Sequence, residues 1–174
     1  MEKLSAPIIT REAIDARLGT LAAEIDAAYR GQPLVLVCVL KGAFIFFADL
    51  ARRLTVCPEV DFVRVASYGQ TSESSRDIRF TKDMEISIEG KHVLLVDDIV
   101  DSGHTMEFLK GQFAVRGAAS LRVAALVDKA ARREAQVQVD FAGFPLEDGF
   151  IVGYGLDYAE KYRTLPAIHE LAFE

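Results

Sequence analysis

The sequence predicts an α/β fold with a central, mostly parallel sheet flanked by helices. Three observations predict it. Residues 34–40, 93–96 and 121–127 are short, largely apolar runs bounded by polar residues, the pattern of strands buried on both faces. Between them lie segments of helical period, with Ile14, Leu18, Leu21, Ile25 and Tyr29 on one stripe and Met106, Leu109 and Phe113 on another. Buried strands that alternate with helices are joined by crossovers, and crossovers keep neighbouring strands parallel.

The elements follow in order. Thr10 can cap the first helix, with Glu12 in its first turn, and Gly31 and Pro33 stop it. Lys41-Gly42 breaks the strand at 34–40. Residues 43–54, rich in Phe44, Phe46 and Phe47, read as a helix, and 60–66 as a third strand. Residues 67–77 form the one polar stretch of low hydrophobicity. It is either a working loop or a solvated linker between two hairpin strands, with 79–82 returning as a short strand. The strand at 93–96 leads into an acidic loop, then a Ser102-Gly103-His104-Thr105 turn and a helix that Gly117 ends. After 121–127 comes the basic run 128–133. Residues 137–141 and 150–152 are short β-like pieces, and 171–173 is a last one. No internal repeat and no linker divides the chain, so 1–174 reads as a single domain.

Composition narrows the function classes. The 174 residues are 51% hydrophobic with a net charge of −6, and mean hydropathy is +0.17. Such a chain folds around a core, and its charge argues against a general nucleic-acid or anionic-membrane surface. The longest uncharged run, 31–40, is too short to span a membrane, and the N-terminus has no signal-peptide apolar region. Cys38 and Cys57 belong to no C-x-x-C pair, and His92, His104 and His169 have no ligand spacing, so a reducing cytoplasmic setting without a transition-metal site is expected.

The chemistry concentrates at 97–105. Asp97, Asp98 and Asp101 crowd the end of a buried strand, where like charges repel unless a cation or hydroxyl groups accept them. Gly103 and the helix start behind it offer unpaired N–H groups and the positive end of a dipole. The segment could therefore hold a metal, a sugar and a phosphate together. No G-x-x-x-x-G-K-[ST] and no G-x-G-x-x-G occurs, which leaves the usual ATP and dinucleotide loops unsupported. Lys41-Gly42, 97–105 and Lys129 all lie just past strand ends, where ligands collect in such sheets.

The run Val-Leu-Leu-Val-Asp-Asp-Ile-Val-Asp-Ser-Gly-His-Thr resembles the phosphoribosyl pyrophosphate (PRPP) motif of type I phosphoribosyltransferases. Leu40-Lys41-Gly42, Ser67-Tyr68-Gly69, Val127-Asp128-Lys129 and Phe150-Ile-Val-Gly-Tyr-Gly-Leu-Asp157 with Arg163 agree in order and spacing with the hypoxanthine/guanine branch. The resemblance implies a type I phosphoribosyltransferase-like fold, with a core over about 10–135 and a small hood from the N-terminal residues and about 136–174. It also implies an Mg²⁺-dependent transfer of ribose-5-phosphate from PRPP to a 6-oxopurine, in a homodimer or homotetramer.

Roles follow from the same resemblance. Asp101 is the general base for the purine N7 proton. Asp97 and Asp98 hold the ribose hydroxyls and support Mg²⁺ there. Ser102, Gly103, His104 and Thr105 cradle the 5-phosphate, with only the backbone of His104 involved. Lys41-Gly42 is the pyrophosphate loop, whose Leu–Lys peptide can be cis, and Arg163 is a further pyrophosphate contact. Ser67 and Tyr68 begin a lid that excludes water. Lys129 donates to the purine O6, Phe150 and Ile99 pack on the base, the Ile151 backbone meets its pyrimidine edge, and Asp157 binds a second Mg²⁺. A base such as Asp101 also needs a neighbouring cation. Asp97 and Ser102 stand where many relatives carry Glu and Thr, and Ser75-Arg76 where Ser-Gly is frequent. A xanthine-preferring enzyme and an RNA-binding, nucleotide-sensing regulator are the competing readings; the acidic balance and the presence of Asp101 count against the regulator.

Overall fold

A computed structural model describes residues 2–68 and 77–173 of the chain. The strands are β1 (Glu2–Ile9), β2 (Leu34–Leu40), β3 (Glu59–Tyr68), β4 (Asp77–Lys82), β5 (His92–Val100), β6 (Ser120–Asp128), β7 (Phe141–Pro145), β8 (Ile151–Val152) and β9 (Ile168–Phe173). The helices are α1 (Arg11–Ala28), α2 (Phe44–Ala51) and α3 (His104–Ala114).

Six strands form the main sheet in the order β4-β3-β2-β5-β6-β7. All neighbours are parallel except β3 and β4. The doubly apolar strands make this arrangement necessary, because both faces must be covered. Leu34, Leu36 and Cys38 share one core with Ile14, Leu18, Leu21 and Ile25 of α1 and Phe46, Phe47 and Leu50 of α2. Val35, Val37 and Val39 point the other way, toward Met106, Leu109 and Phe113 of α3. The alternation is the two-residue period of a strand. Thr10 caps α1, its Oγ1 accepting from Ala13 N at 3.2 Å.

The order of the sheet fixes where a ligand can bind. From β2 the chain steps outward through α2 to β3; from β5 it steps the opposite way through α3 to β6. The reversal lies between β2 and β5, and a crevice opens at the carboxyl ends of the strands where the order reverses. Lys41 and Gly42 follow one of these strands, and Ser102 to Thr105 follow the other.

A second sheet, β1-β9-β8, is antiparallel throughout and sits over that end. Glycines set its approach. Gly155 has φ +105° and Gly42 has its backbone directly beneath, so a Cβ on Gly155 would overlap the Gly42 carbonyl oxygen.

Several boundaries differ from expectation, among them that of β9, which begins at Ile168 rather than 171, and one strand, β1, has no counterpart among the expected elements. The strand expected at 93–96 continues to Val100, so Asp97 and Asp98 belong to β5 and not to a loop. Pairing with β6 carries it on, Asp97 opposite Ala125 and Ile99 opposite Val127. The helix after Gly42 ends at Ala51, short of 54. The piece expected at 137–141 begins only at Phe141, where pairing with Ala124 starts. The N-terminal strand β1 carries no alternating pattern, since seven of its eight residues lie outside the core, in the sequence EKLSAPII.

Candidate active site

Three backbone features shape the site. The Leu40–Lys41 peptide is cis. Gly42 lies so close to Asp98 that a Cβ there would overlap the carboxylate. Gly103 takes φ +90° and caps α3 without a side-chain bond, leaving the first-turn N–H groups of the helix facing outward. Ser102, Gly103, Thr105, Asp97, Ile99, Val100, Asp101 and Met106 line a hollow of about 130 Å³ there. A larger cleft of about 620 Å³ adjoins it through Ile99 and Asp101, and is lined also by Asp98, Lys129, Arg132, Asp148, Gly149, Phe150, Ile151, Leu156 and Asp157. Residues from four separate segments thus meet in one place.

The electrostatics of the two ends differ. Burial pushes the carboxyls of Asp97 and Asp98 above their ordinary range, and for Asp97 the adjacent Asp98 charge adds to the effect. Asp97 Oδ1 accepts from Asp98 N at 3.0 Å and Asp98 Oδ1 from Ile99 N at 2.9 Å. These bonds hold the two side chains at the β5 terminus but do not discharge them. Asp101 is paired: Arg132 Nε lies 3.0 Å from its Oδ1. Arg132 is therefore the cation expected beside Asp101.

Lys129 is 4% exposed. Its Nζ donates to Gly149 O at 2.6 Å, which uses one of three donors. Phe150, beside it, leaves 46% of its surface open. On the far side, Lys41 Nζ donates to Glu160 Oε1 at 2.8 Å, and Arg163 Nη2 contacts Asp157 Oδ1 at 2.7 Å and Glu160 Oε2 at 3.3 Å. Arg163 Nε is buried without an acceptor among the described residues.

The sequence and the fold are matched by known proteins. A family model described as phosphoribosyl transferase domain matches residues 8–159. The chain belongs to this family. Hypoxanthine phosphoribosyltransferase of Escherichia coli (strain K12) is 44% identical over 163 residues, covering 92% of this chain and 92% of that one. Hypoxanthine-guanine phosphoribosyltransferase of Bacillus subtilis (strain 168) is 42% identical over 161 residues, covering 92% and 89%. Among solved structures, a hypoxanthine-guanine phosphoribosyltransferase of Bacillus anthracis with HEPES in the active site superposes with a TM-score of 0.93 at 35% identity, covering 99% and 100% of the two chains. A Staphylococcus aureus hypoxanthine phosphoribosyltransferase gives 0.93 at 38% identity, covering 97% and 92%. The chain is thus a phosphoribosyltransferase, and the fold class and family expected from its motifs hold.

The two connected spaces bring together many of the residues named from the sequence. Asp97, Asp98, Ile99, Asp101, Ser102, Gly103, Thr105, Lys129, Phe150, Ile151 and Asp157 line the two connected spaces. Gly42 and Arg163 touch their lining at Asp98 and Asp157, whereas Lys41 lines neither space and is tied to this cluster by its bond to Glu160, which also meets Arg163. The His104 ring instead meets Glu134, Nε2 to Oε2 at 2.8 Å. Ser67 and Tyr68 end β3, paired with Ile78 and Asp77; the rest of the expected lid, 69–76, lies outside the described residues.

Three participants carry no signal in the sequence beyond a charge. Arg132 pairs with Asp101, and Glu160 bridges Lys41 and Arg163. Arg133 secures the turn from behind, Nε donating to Asp101 O at 2.9 Å and Nη1 to Val137 O at 2.7 Å, with an ion pair to Asp128. The Ser102 carbonyl is held by Glu134 N and Ala135 N at 3.0 and 2.9 Å. The doublet Arg132-Arg133 is visible in the basic run 128–133, but only the 3-10 turn at Ala130–Arg132 sends its two side chains to different tasks.

Proposed function

We propose that the chain transfers ribose-5-phosphate from PRPP to hypoxanthine, guanine or both, with Mg²⁺, giving IMP or GMP and pyrophosphate. The observation that carries this reading is the cleft itself. It brings the buried ammonium of Lys129, the open ring of Phe150 and the carboxylate of Asp101 together. A 6-oxopurine offers a partner for each: O6 accepts from Lys129, the ring stacks on Phe150, and the N7 proton passes to Asp101. Adenine would turn an amino donor toward the ammonium, which costs binding.

In this reading N9 attacks the anomeric carbon as its bond to the pyrophosphate oxygen breaks. The positive charge that reaches the imidazole ring is relieved by loss of the N7 proton to Asp101 Oδ, and Arg132 holds that carboxylate in place. The Gly103 turn and Ser102 and Thr105 hold the 5-phosphate. Lys41 and Arg163 take the pyrophosphate, and the spare Nε donor of Arg163 suits an anion there.

Among the described residues no group of three or more His, Cys, Asp or Glu forms a metal cage. The donors nevertheless fit Mg²⁺, which keeps most of its shell on water and substrate oxygens and takes one or two carboxylates from the protein. Asp97 and Asp98, whose carboxyls burial raises above the ordinary range, would gain from such a cation and from ribose hydroxyls, and Asp157 would serve a second one. When bound, Mg²⁺ offsets the charge of the pyrophosphate leaving group.

The test is pyrophosphate release with PRPP and, separately, hypoxanthine, guanine, xanthine, adenine and uracil, with Mg²⁺ and with a chelator. Release is expected with hypoxanthine or guanine and only with Mg²⁺. Xanthine as the sole productive purine would transfer the reading to a xanthine-preferring enzyme, and adenine turning over as well as hypoxanthine would end it.

A further inference from the structure

Phe150 is half-exposed, and a half-exposed ring in a cleft wall stacks well only if something fixes it. Two further rings surround it. Tyr158 meets it at a centroid distance of 5.6 Å and 90°, and Phe173 at 5.9 Å and 64°. Tyr158 and Phe173 also meet each other, at 5.0 Å and 58°. The three rings form a closed triangle with separations inside the favourable range for aromatic pairs. Of the three only Phe150 lines the cleft; Tyr158 and Phe173 stand outside it.

The main chain leads to the same place. Leu171 N donates to Phe150 O at 2.8 Å, and β8 pairs with β9 immediately afterwards, Ile151 opposite Glu170. Leu171 and Phe173 lie two residues apart on β9 and so share a face. Leu171 is buried, whereas Phe173 is 55% exposed, a large ring left near solvent beside the cleft wall. Before Phe150 stands Gly149 at φ +102°, a joint that would let the ring swing if nothing held it. Tyr158 in turn sits in the tight turn it closes with Lys161, N to O at 3.2 Å, next to Asp157. The triangle therefore ties the cleft ring to β9 at one corner and to the Asp157 turn at another.

We infer that Phe173, with Tyr158, is a positioning residue for the base: the two rings hold Phe150 in the orientation a purine needs, although neither touches the purine. The inference rests on the 6-oxopurine reading above. A pre-fixed ring spares the ordering that binding would otherwise require, so its loss should appear in base affinity rather than in chemistry.

The experiment is steady-state kinetics with PRPP and hypoxanthine on Phe173→Ala, Phe173→Tyr and Tyr158→Ala, with thermal unfolding of each. Phe173→Ala and Tyr158→Ala should raise KM for hypoxanthine about two- to tenfold, the loss of roughly one or two aromatic pairs. KM for PRPP and kcat should stay within about twofold, the ordinary reach of a surface change. Phe173→Tyr, which keeps the ring, should restore the wild-type KM. An unchanged hypoxanthine KM in both alanine variants overturns the inference and leaves the 6-oxopurine reading standing. A joint rise in both KM values with a fall in kcat and in Tm, not restored by Phe173→Tyr, also overturns it, because the rings would then only support the fold. Absence of turnover in the wild type overturns both.

Discussion

Arg132 is ion-paired with two carboxylates of the same cleft, Nε to Asp101 Oδ1 at 3.0 Å and Nη1 to Asp148 Oδ1 at 3.0 Å. One planar guanidinium thereby fixes where the Asp101 carboxylate points. Exposed ion pairs add little to stability, but a side chain that must meet a proton at hydrogen-bond distance gains from being held. Arg132→Ala is predicted to lower kcat about 10- to 100-fold, the order expected for a misplaced catalytic group. Arg132→Lys, which cannot span both carboxylates, should fall between. Initial-rate measurements at saturating substrates check this, and an unaltered kcat in Arg132→Ala would remove Arg132 from the account.

Glu160 holds both cations assigned to the pyrophosphate, Lys41 at 2.8 Å and Arg163 at 3.3 Å. The incoming anion must displace it. Glu160→Gln removes the competing charge and is predicted to lower KM for PRPP about two- to fivefold, the scale of exposed ion pairs. KM for the base should not change. A raised KM for PRPP would mean that Glu160 assists the substrate rather than competing with it.

Gly155, in the turn that follows β8, packs its backbone against that of Gly42. Gly155→Ala forces a side chain into φ +105° and into the Gly42 carbonyl. A cost of about 1–3 kcal/mol is expected from the backbone conformation, which lowers Tm by roughly 3–10 °C in a domain of this size. Calorimetry measures it, and a Tm within about 1 °C of wild type would show that the two backbones can separate freely.

Asp61 makes stability sensitive to acid. It is 4% exposed, and it accepts from Phe62 N and Glu85 N at 2.7 Å and from Ile86 N at 3.0 Å, with Lys82 Nζ 3.8 Å away. Burial alone would raise its carboxyl, but the three N–H donors and Lys82 outweigh burial and hold it below the ordinary carboxylate range. The folded state thus favours the charged form. The contribution is complete above the unfolded value of about 4 and is lost as pH falls through the lower folded value. Asp61→Asn should cost about 1.5–3 kcal/mol at pH 7, the worth of hydrogen bonds to a charged group. The gap in Tm between the two proteins should narrow as pH falls below about 4. A gap of constant size from pH 7 to pH 3 would contradict the assignment.

Much of the site is legible in the sequence because its groups follow strand ends that declare themselves locally. The apolar runs of β2, β5 and β6 place Lys41, Asp101 and Lys129 at one edge of a parallel sheet without any knowledge of contacts. The same local signal stops the β5 strand too early, since Asp97 and Asp98 look like loop residues until pairing with β6 is known. β1 is invisible for a related reason. Its mostly exposed side chains have no period, and what makes it a strand is pairing with β9 at the other end of the chain, Glu2 opposite Phe173. Arg132, Glu160 and Phe173 are ordinary surface residues by composition. Their roles come from contacts with Asp101, Lys41 and Phe150, which lie 31, 119 and 23 positions away.

The central claim is that one cleft, with Asp101 as its base, moves a phosphoribosyl group to a 6-oxopurine. Hypoxanthine-dependent pyrophosphate release from PRPP, measured side by side in the wild type and in Asp101→Ala with Mg²⁺ present, tests it most directly. Turnover is expected in the wild type, with a fall in kcat of about 10²- to 10⁴-fold in the variant, the usual cost of a lost general base. Equal turnover in the two proteins, or none in the wild type with either hypoxanthine or guanine, would contradict it.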